Sequence, residues 1–448
     1  MAPEDWIRYA VWWQIYPLGF VGAEPAALDP GSAPAHRLPE IIGWLDYAVR
    51  LGASGIALGP VFSSETHGYD TVDYFTIDPR LGDEADFDAL LAAAHERGLR
   101  VLLDGVFNHV GRGFPEFQQV LAEGRNTPSA SWFHLTWPDA AAAVDDGGRG
   151  SARAGEPDYR DFEGHRQLVA LNHDSPVVVE HITKVMNHWL DRGADGWRLD
   201  AAYAVPARFW KAVLGPVRAG HPEAYIVGEV IHGDYTATVR EAGLDSVTQY
   251  ELWKAVWSSL NDHNFFELSS SLERHNAFLE TFVPLTFVGN HDVTRIASRL
   301  LDPRFLPHAL AILFTTGGTP SVYYGDEQGF RGVKEDRAGG DDAVRPAFPA
   351  GPDGLGPGGW EVYRLHQEMI GVRRRHPWLH RASTEVLSLT NQQMLFRSAH
   401  GPKGLLVALN LSDQPAAFNV PGGPVILAGS GKLQDRLTLP PQGWAVLE

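Results

Sequence analysis

From residue 9 to about residue 375 the chain repeats one pattern: a short, nearly continuous apolar run, then a stretch with helical apolar spacing. The runs are Ala10–Tyr16, Gly55–Leu58, Leu99–Leu103, Gly196–Leu199, Tyr225–Gly228, Pro284–Val288 and Pro320–Tyr324. Continuous hydrophobicity is what parallel strands show when both faces are covered. The helices between them carry legible ends. Asp83 can cap one whose Phe87, Leu90, Leu91 and Ala94 share a face, and Gly98 stops it. Ser175-Pro176 opens another with an apolar stripe of Val178, Ile182, Val185 and Trp189, closed by Gly193. Repeated strand–helix units over this length favour a (β/α)8 barrel over an open doubly wound sheet. No Gly-x-Gly-x-x-Gly follows the first strand, which argues against a dinucleotide fold.

Two segments break the rhythm. Between Val110 and Asn172 the chain is irregular and rich in Gly, Asp and aromatic residues, as an insertion shaping an active-site rim would be. After Arg381 the helical period disappears, and runs such as Gly404–Leu411 and Trp444–Leu447 alternate with Gly- and Pro-rich turns. The expected fold is therefore α/β: a TIM barrel from residues 1–109 and 173–378, an insertion at 110–172 after the third strand, and an antiparallel β domain at 379–448.

Four strings within this frame end in, or hold, a carboxylate where a strand should end: Asp104-Gly-Val-Phe-Asn-His109, Gly196-Trp-Arg-Leu-Asp200, Gly228-Glu229-Val and Phe287-Val-Gly-Asn-His-Asp292. An unpaired buried charge is costly, so strands do not end this way without a reason. Any one of the four could simply cap the next helix. All four together point to convergence on a pocket, because barrel chemistry lies at the carboxyl ends of the strands. Arg198 and Asp200 are two apart on one strand, so both face the same way. A guanidinium there is expected to lower the Asp200 pKa and keep that carboxylate ionised, as suits a nucleophile, although a plain ion pair has the same spacing. Glu229 follows Gly228, which allows close approach. As a general acid it needs a raised pKa, from desolvation or from the charges of Asp200 and Asp292. His67, His109 and His291 lie beside these acids and suit hydrogen bonding to a polar substrate better than metal ligation. Tyr69 offers a flat face for a sugar ring.

The formal net charge of −18 argues against a nucleic-acid or anionic-membrane partner. With no cysteine there are no disulfides, thiolate metal sites or cysteine nucleophiles. The N-terminus lacks the basic start and apolar core of a signal peptide, and no apolar run approaches the ~20 residues of a membrane span. A cytoplasmic location is expected, and a homodimer stays open.

The ordered set of four strings resembles the α-amylase family, glycoside hydrolase family 13, over nearly the whole chain. That resemblance implies a retaining α-glycoside hydrolase with Asp200 as nucleophile, Glu229 as general acid/base and Asp292 as the third carboxylate, gripping sugar hydroxyls. It places Tyr69, Asp104, His109, Arg198 and His291 around the same subsite, and makes the insertion and the tail the family's B and C domains. Trp197 and Gly196–Asp200 resemble the cyclomaltodextrinase and neopullulanase branch. The implied substrates are malto-, branched or cyclic oligosaccharides (cyclomaltodextrin or cyclic maltosyl-maltose) with mainly α-1,4 bonds. Two departures matter. Tyr203 and Ala204 stand where many α-amylases carry Lys-His, and Asn172 stands where the usual carboxylate partner of Asn108 in a calcium site would be. No cofactor is therefore expected to be required and no metal-ligand residue is assigned, while a structural calcium stays open. Asp336, Arg337, Asp341 and Arg345 could read the non-reducing side or form a solvated loop. The alternatives are a transglycosylase or sugar isomerase using the same intermediate, and a non-catalytic amylase-like binding protein.

Overall fold

The structure is a computed structural model that describes residues 4–138, 156–337 and 339–448. Eight parallel strands form the centre: β1 (Trp12–Ile15), β2 (Gly55–Leu58), β3 (Arg100–Gly105), β4 (Gly196–Leu199), β5 (Tyr225–Gly228), β6 (Ser246–Val247), β7 (Leu285–Phe287) and β8 (Thr319–Tyr323). Their hydrogen-bonded order runs β6-β5-β4-β3-β2-β1-β8-β7. A parallel bridge between Thr248 and Leu285 joins the two ends and closes the barrel. Seven strands fall on the apolar runs read from the sequence. The eighth, β6, is only two residues long and too short to carry a recognisable pattern.

Packing makes the two ends of the barrel different. Trp12, Leu102, Tyr225 and Val227 fill the interior near the amino ends of the strands, with Ile7 and Ala10 below. The Trp12 and Tyr225 rings stack with centroids 6.3 Å apart. Such bulk needs glycines beside it: a Cβ at Gly55 would sit 2.4 Å from the Trp12 ring. The opposite end is left to polar groups, and strand register lines them up. Arg198 of β4 pairs with Asp104 of β3. Leu199 pairs with Gly228, so Asp200 and Glu229 follow side by side.

The helix ends largely follow the sequence reading. Asp83 accepts from Ala85 N and Asp86 N at 2.9 and 3.0 Å, and Asp86 answers from the Asp83 amide, a reciprocal cap for the helix Glu84–Glu96. Ser175 precedes the helix Pro176–Asp191 with extended backbone, but its hydroxyl makes no cap bond. Pro176 starts that helix through its fixed φ.

After β3 the chain leaves the barrel. His109–Gly111, His165–Ala170 and Asp161–Phe162 form a small antiparallel sheet. Of the insertion expected at 110–172, residues 139–155 lie outside the described residues. At the other end of the chain, Ser383–Leu389, Gln393–His400, Lys403–Asn410, Trp444–Leu447 and Ile426–Gly429 make a five-stranded antiparallel sheet. Period-two alternation sorts its side chains. Met394, Phe396, Leu405, Val407 and Leu409 enter the main core. Leu395, Leu406 and Ala408 face a second core with Phe418, Leu437 and Leu439.

Candidate active site

Arg198 is the hub of the polar end. Its Nη1 donates to both oxygens of Asp104 at 2.7 and 2.8 Å and reaches Asp200 Oδ1 at 3.2 Å. Its Nη2 lies 2.8 Å from Glu229 Oε1. Three carboxylates from three adjoining strands thus share one guanidinium, and all four side chains are buried. Glu229 is held at both oxygens: the Ala201 amide donates to Oε2 at 3.0 Å and the Tyr250 hydroxyl to Oε1 at 3.1 Å. Ala201 can aim its amide there because its backbone is left-handed (φ 45°), a conformation that costs a non-glycine residue energy.

Asp292 comes from the loop after β7. Arg345 Nη2 donates to its Oδ1 at 2.7 Å, and His291 Nε2 lies 3.1 Å from its Oδ2. Asn290 fixes this turn, accepting from the Asp292 amide at 2.8 Å and donating to the Tyr250 hydroxyl at 2.9 Å. Tyr250 therefore connects the Glu229 and Asp292 arms. On the other flank the Tyr69 hydroxyl bonds Asp104 Oδ2 at 3.2 Å and contacts His291 Nε2. His109 Nε2 is 3.0 Å from the Tyr69 carbonyl.

A cleft of about 430 Å³ opens above this network. Asp200, Glu229, Asp292, His67, Tyr69, His109 and Arg345 line it. Asp104, Arg198 and His291 lie behind its wall and hold the lining groups in place. Asp341 also lines the cleft, 3.0 Å from Arg345, whereas Asp336 and Arg337 do not. Sequence reasoning missed several lining residues, among them Tyr250, Trp253, Phe162, Glu163 and Lys334. Tyr250 follows the two-residue strand that left no trace in the hydrophobic pattern. Asn290 stood inside a quoted string, and only its bonds give it a role.

The electrostatics correct one expectation. Asp200 was expected to be depressed by Arg198. Instead burial, and after it the Glu229 charge, push its carboxyl well above the ordinary carboxylate range, against the pull of Arg198. The reason is the sharing: one positive charge answers three carboxylates, and Asp200 has the longest of its contacts. Protonation here belongs to the cluster and not to one residue. Asp292 is the opposite case. Burial would raise it, but His291, Arg345 and Lys334 outweigh that and hold it well below the usual range. Burial also lowers His109 to about 3, leaving a neutral ring at the cleft.

The two asparagines at the positions of the calcium site implied by the resemblance make hydrogen bonds within the protein. Asn172 donates to the Ser131 carbonyl at 3.1 Å and accepts from the Asp174 amide at 3.2 Å. Asn108 is turned to His109 Nδ1 at 3.1 Å. Neither brings the negative charge that a hard cation favours. Among the described residues, one His/Asp group has metal-like spacing, His36 with Asp83 and Asp86, and it belongs to a helix cap away from the cleft.

Residues 14–350 match the family described as alpha amylase, catalytic domain, and residues 391–447 match a domain of unknown function, DUF3459. The chain is 29% identical over 440 residues to a cyclomaltodextrinase of Geobacillus thermopakistaniensis, covering 93% of this chain and 71% of that protein. Among solved structures it is similar to the cyclic α-maltosyl-(1→6)-maltose hydrolase of Arthrobacter globiformis, with a TM-score of 0.82 at 28% identity over 100% of this chain and 99% of that one. It is also similar to the Nostoc punctiforme debranching enzyme soaked with acarbose, with a TM-score of 0.81 at 29% identity over 99% and 98% of the two chains.

Proposed function

Since the chain belongs to the α-amylase family and is a glycoside hydrolase, we propose that it cleaves α-glucosidic bonds, mainly α-1,4, in short linear, branched or cyclic oligosaccharides by a retaining mechanism. The observation that carries this reading is the single guanidinium of Arg198 gripping Asp104, Asp200 and Glu229 beneath an open cleft. Asp200 is the nucleophile: in the microstate that places the proton on Glu229, its carboxylate attacks the anomeric carbon as the glycosidic bond breaks, giving a covalent β-glucosyl ester. Glu229, oriented at both oxygens, gives its proton to the leaving oxygen, then takes one from the water that hydrolyses the ester. Double inversion restores the α configuration.

Asp292 and Arg345 bind sugar hydroxyls as the ring flattens, and Tyr69 packs against the pyranose. The low range in which Asp292 titrates keeps it an acceptor at working pH. No resident metal takes part: activity should survive prolonged treatment with a chelator, and its loss, with recovery on adding calcium, would contradict this.

The substrate class is tested by incubating the protein with soluble starch, cyclodextrins, maltotriose and a cyclic maltosyl-maltose. Oligosaccharides, cyclic ones included, are expected to be cleaved fastest, and activity on starch alone would defeat the assignment. Proton NMR of the first product should show the α-anomer. An initial β-anomer would exclude retention.

A further inference from the structure

The cleft has a built end that the mechanism above does not use. Tyr203, in the short helix Ala202–Ala204 after the left-handed Ala201, donates its hydroxyl to Glu163 Oε1 at 2.8 Å. Glu163 sits at the tip of the hairpin joining Asp161–Phe162 to His165–Ala170. That tip is a shaped turn: Glu163 is left-handed (φ 51°), Gly164 follows at φ 85°, and the Gly164 amide bonds Asp161 Oδ1 at 2.9 Å. Beside it, the Phe162 ring lies on His109 with centroids 4.6 Å apart, fixing the hairpin to the cleft floor. Tyr203 in turn packs on His232, three residues beyond Glu229, at 5.0 Å.

The bar therefore spans the cleft from the insertion to the loops after β4 and β5. Its side follows from the chemistry. Glu229 protonates the leaving oxygen, so the groups gathered near it (Tyr203, Ile231 and His232) face the leaving portion of the substrate. Arg345, Asp341 and Lys334 gather around Asp292 instead.

We propose that Tyr203 and Glu163 set substrate size, barring the leaving-group side against long chains and admitting short or bent oligosaccharide ends. A polymer must pass on both sides of the bond being cut, and on the leaving side it meets this hydrogen-bonded pair at the lining of the cleft. The proposal rests on the assignment of Glu229 as the acid.

The test compares Tyr203→Phe and Glu163→Gly, the latter chosen because glycine tolerates the left-handed backbone, on amylose and on maltotriose. Each variant should raise the amylose-to-maltotriose ratio of kcat/KM by about ten-fold, mostly through a lower KM for amylose. The double variant should gain no more than either single one, because both sever the same contact. An unchanged ratio, or effects that multiply, would overturn the bar while leaving the glycosidase assignment in place. If the unaltered protein cleaves no α-glucan, that assignment fails and the bar with it.

Discussion

At the scale of single residues, the site is a charge problem with an incomplete answer. Arg198 supplies one positive charge to three buried carboxylates, and Asp200, the most weakly held of them, has its pKa raised by burial and by Glu229. Its folded value lies above its unfolded one. Between the two the folded protein keeps a proton that the unfolded chain gives up, so stability falls as pH rises through that window. Asp200→Asn removes this cost. The variant should lose roughly 10⁴-fold or more in kcat, yet its melting temperature should gain on the parent's as pH is raised from the ordinary carboxylate range, where Asp200 is still protonated. Melting curves from pH 4 to 8 check this, and a gain independent of pH would contradict the raised value. The sequence made these three carboxylates visible because carboxylates ending apolar runs are anomalous. It gave the wrong sign for Asp200, since a spacing of two residues does not reveal how many partners a guanidinium has.

At the scale of elements, function depends on register. Gly196 opens β4 because a Cβ there would stand 2.1 Å from the Tyr225 carbonyl of β5. Gly196→Ala must part the two strands that carry Asp200 and Glu229. It should cost about 1–3 kcal/mol in urea denaturation and depress kcat as well. Asp83→Ala should cost about 1 kcal/mol through loss of the reciprocal cap, with kcat unaltered, since that helix only backs the barrel. Normal kcat in Gly196→Ala would show that strand register is not what positions the acids. Seven strands were legible because each is an apolar run bounded by turn residues. Ser246–Val247 was not, and Tyr250 and its bond to Glu229 were lost to view with it.

At the scale of the whole molecule, the barrel and the C-terminal sheet share a core. Met394, Phe396, Leu405, Val407 and Leu409 pack in the same cluster as Leu310, Phe314 and the barrel residues. His308 Nε2 contacts the Asn410 and Gly443 carbonyls at 3.2 Å each. Calorimetry should therefore give one cooperative transition, and a chain ending before Ser383 should be insoluble or unfolded. Two separated transitions would mean that the shared core does not couple them. The alternation of runs and helices determined a parallel α/β sheet by itself, because burial on both strand faces leaves a direct mark in the residue types, whereas closure through Ser246–Val247 and the Thr248–Leu285 bridge was decided by the tertiary structure. Four misplaced carboxylates likewise marked the polar end of the barrel, where they gather at one cleft. Only the tertiary structure decided how charge is divided among them, that Tyr250 and Asn290 link the two arms of the site, and that Tyr203 meets Glu163 across the cleft. Those facts depend on groups far apart in the chain meeting at hydrogen-bond distance, and a local pattern of residues holds no record of distance.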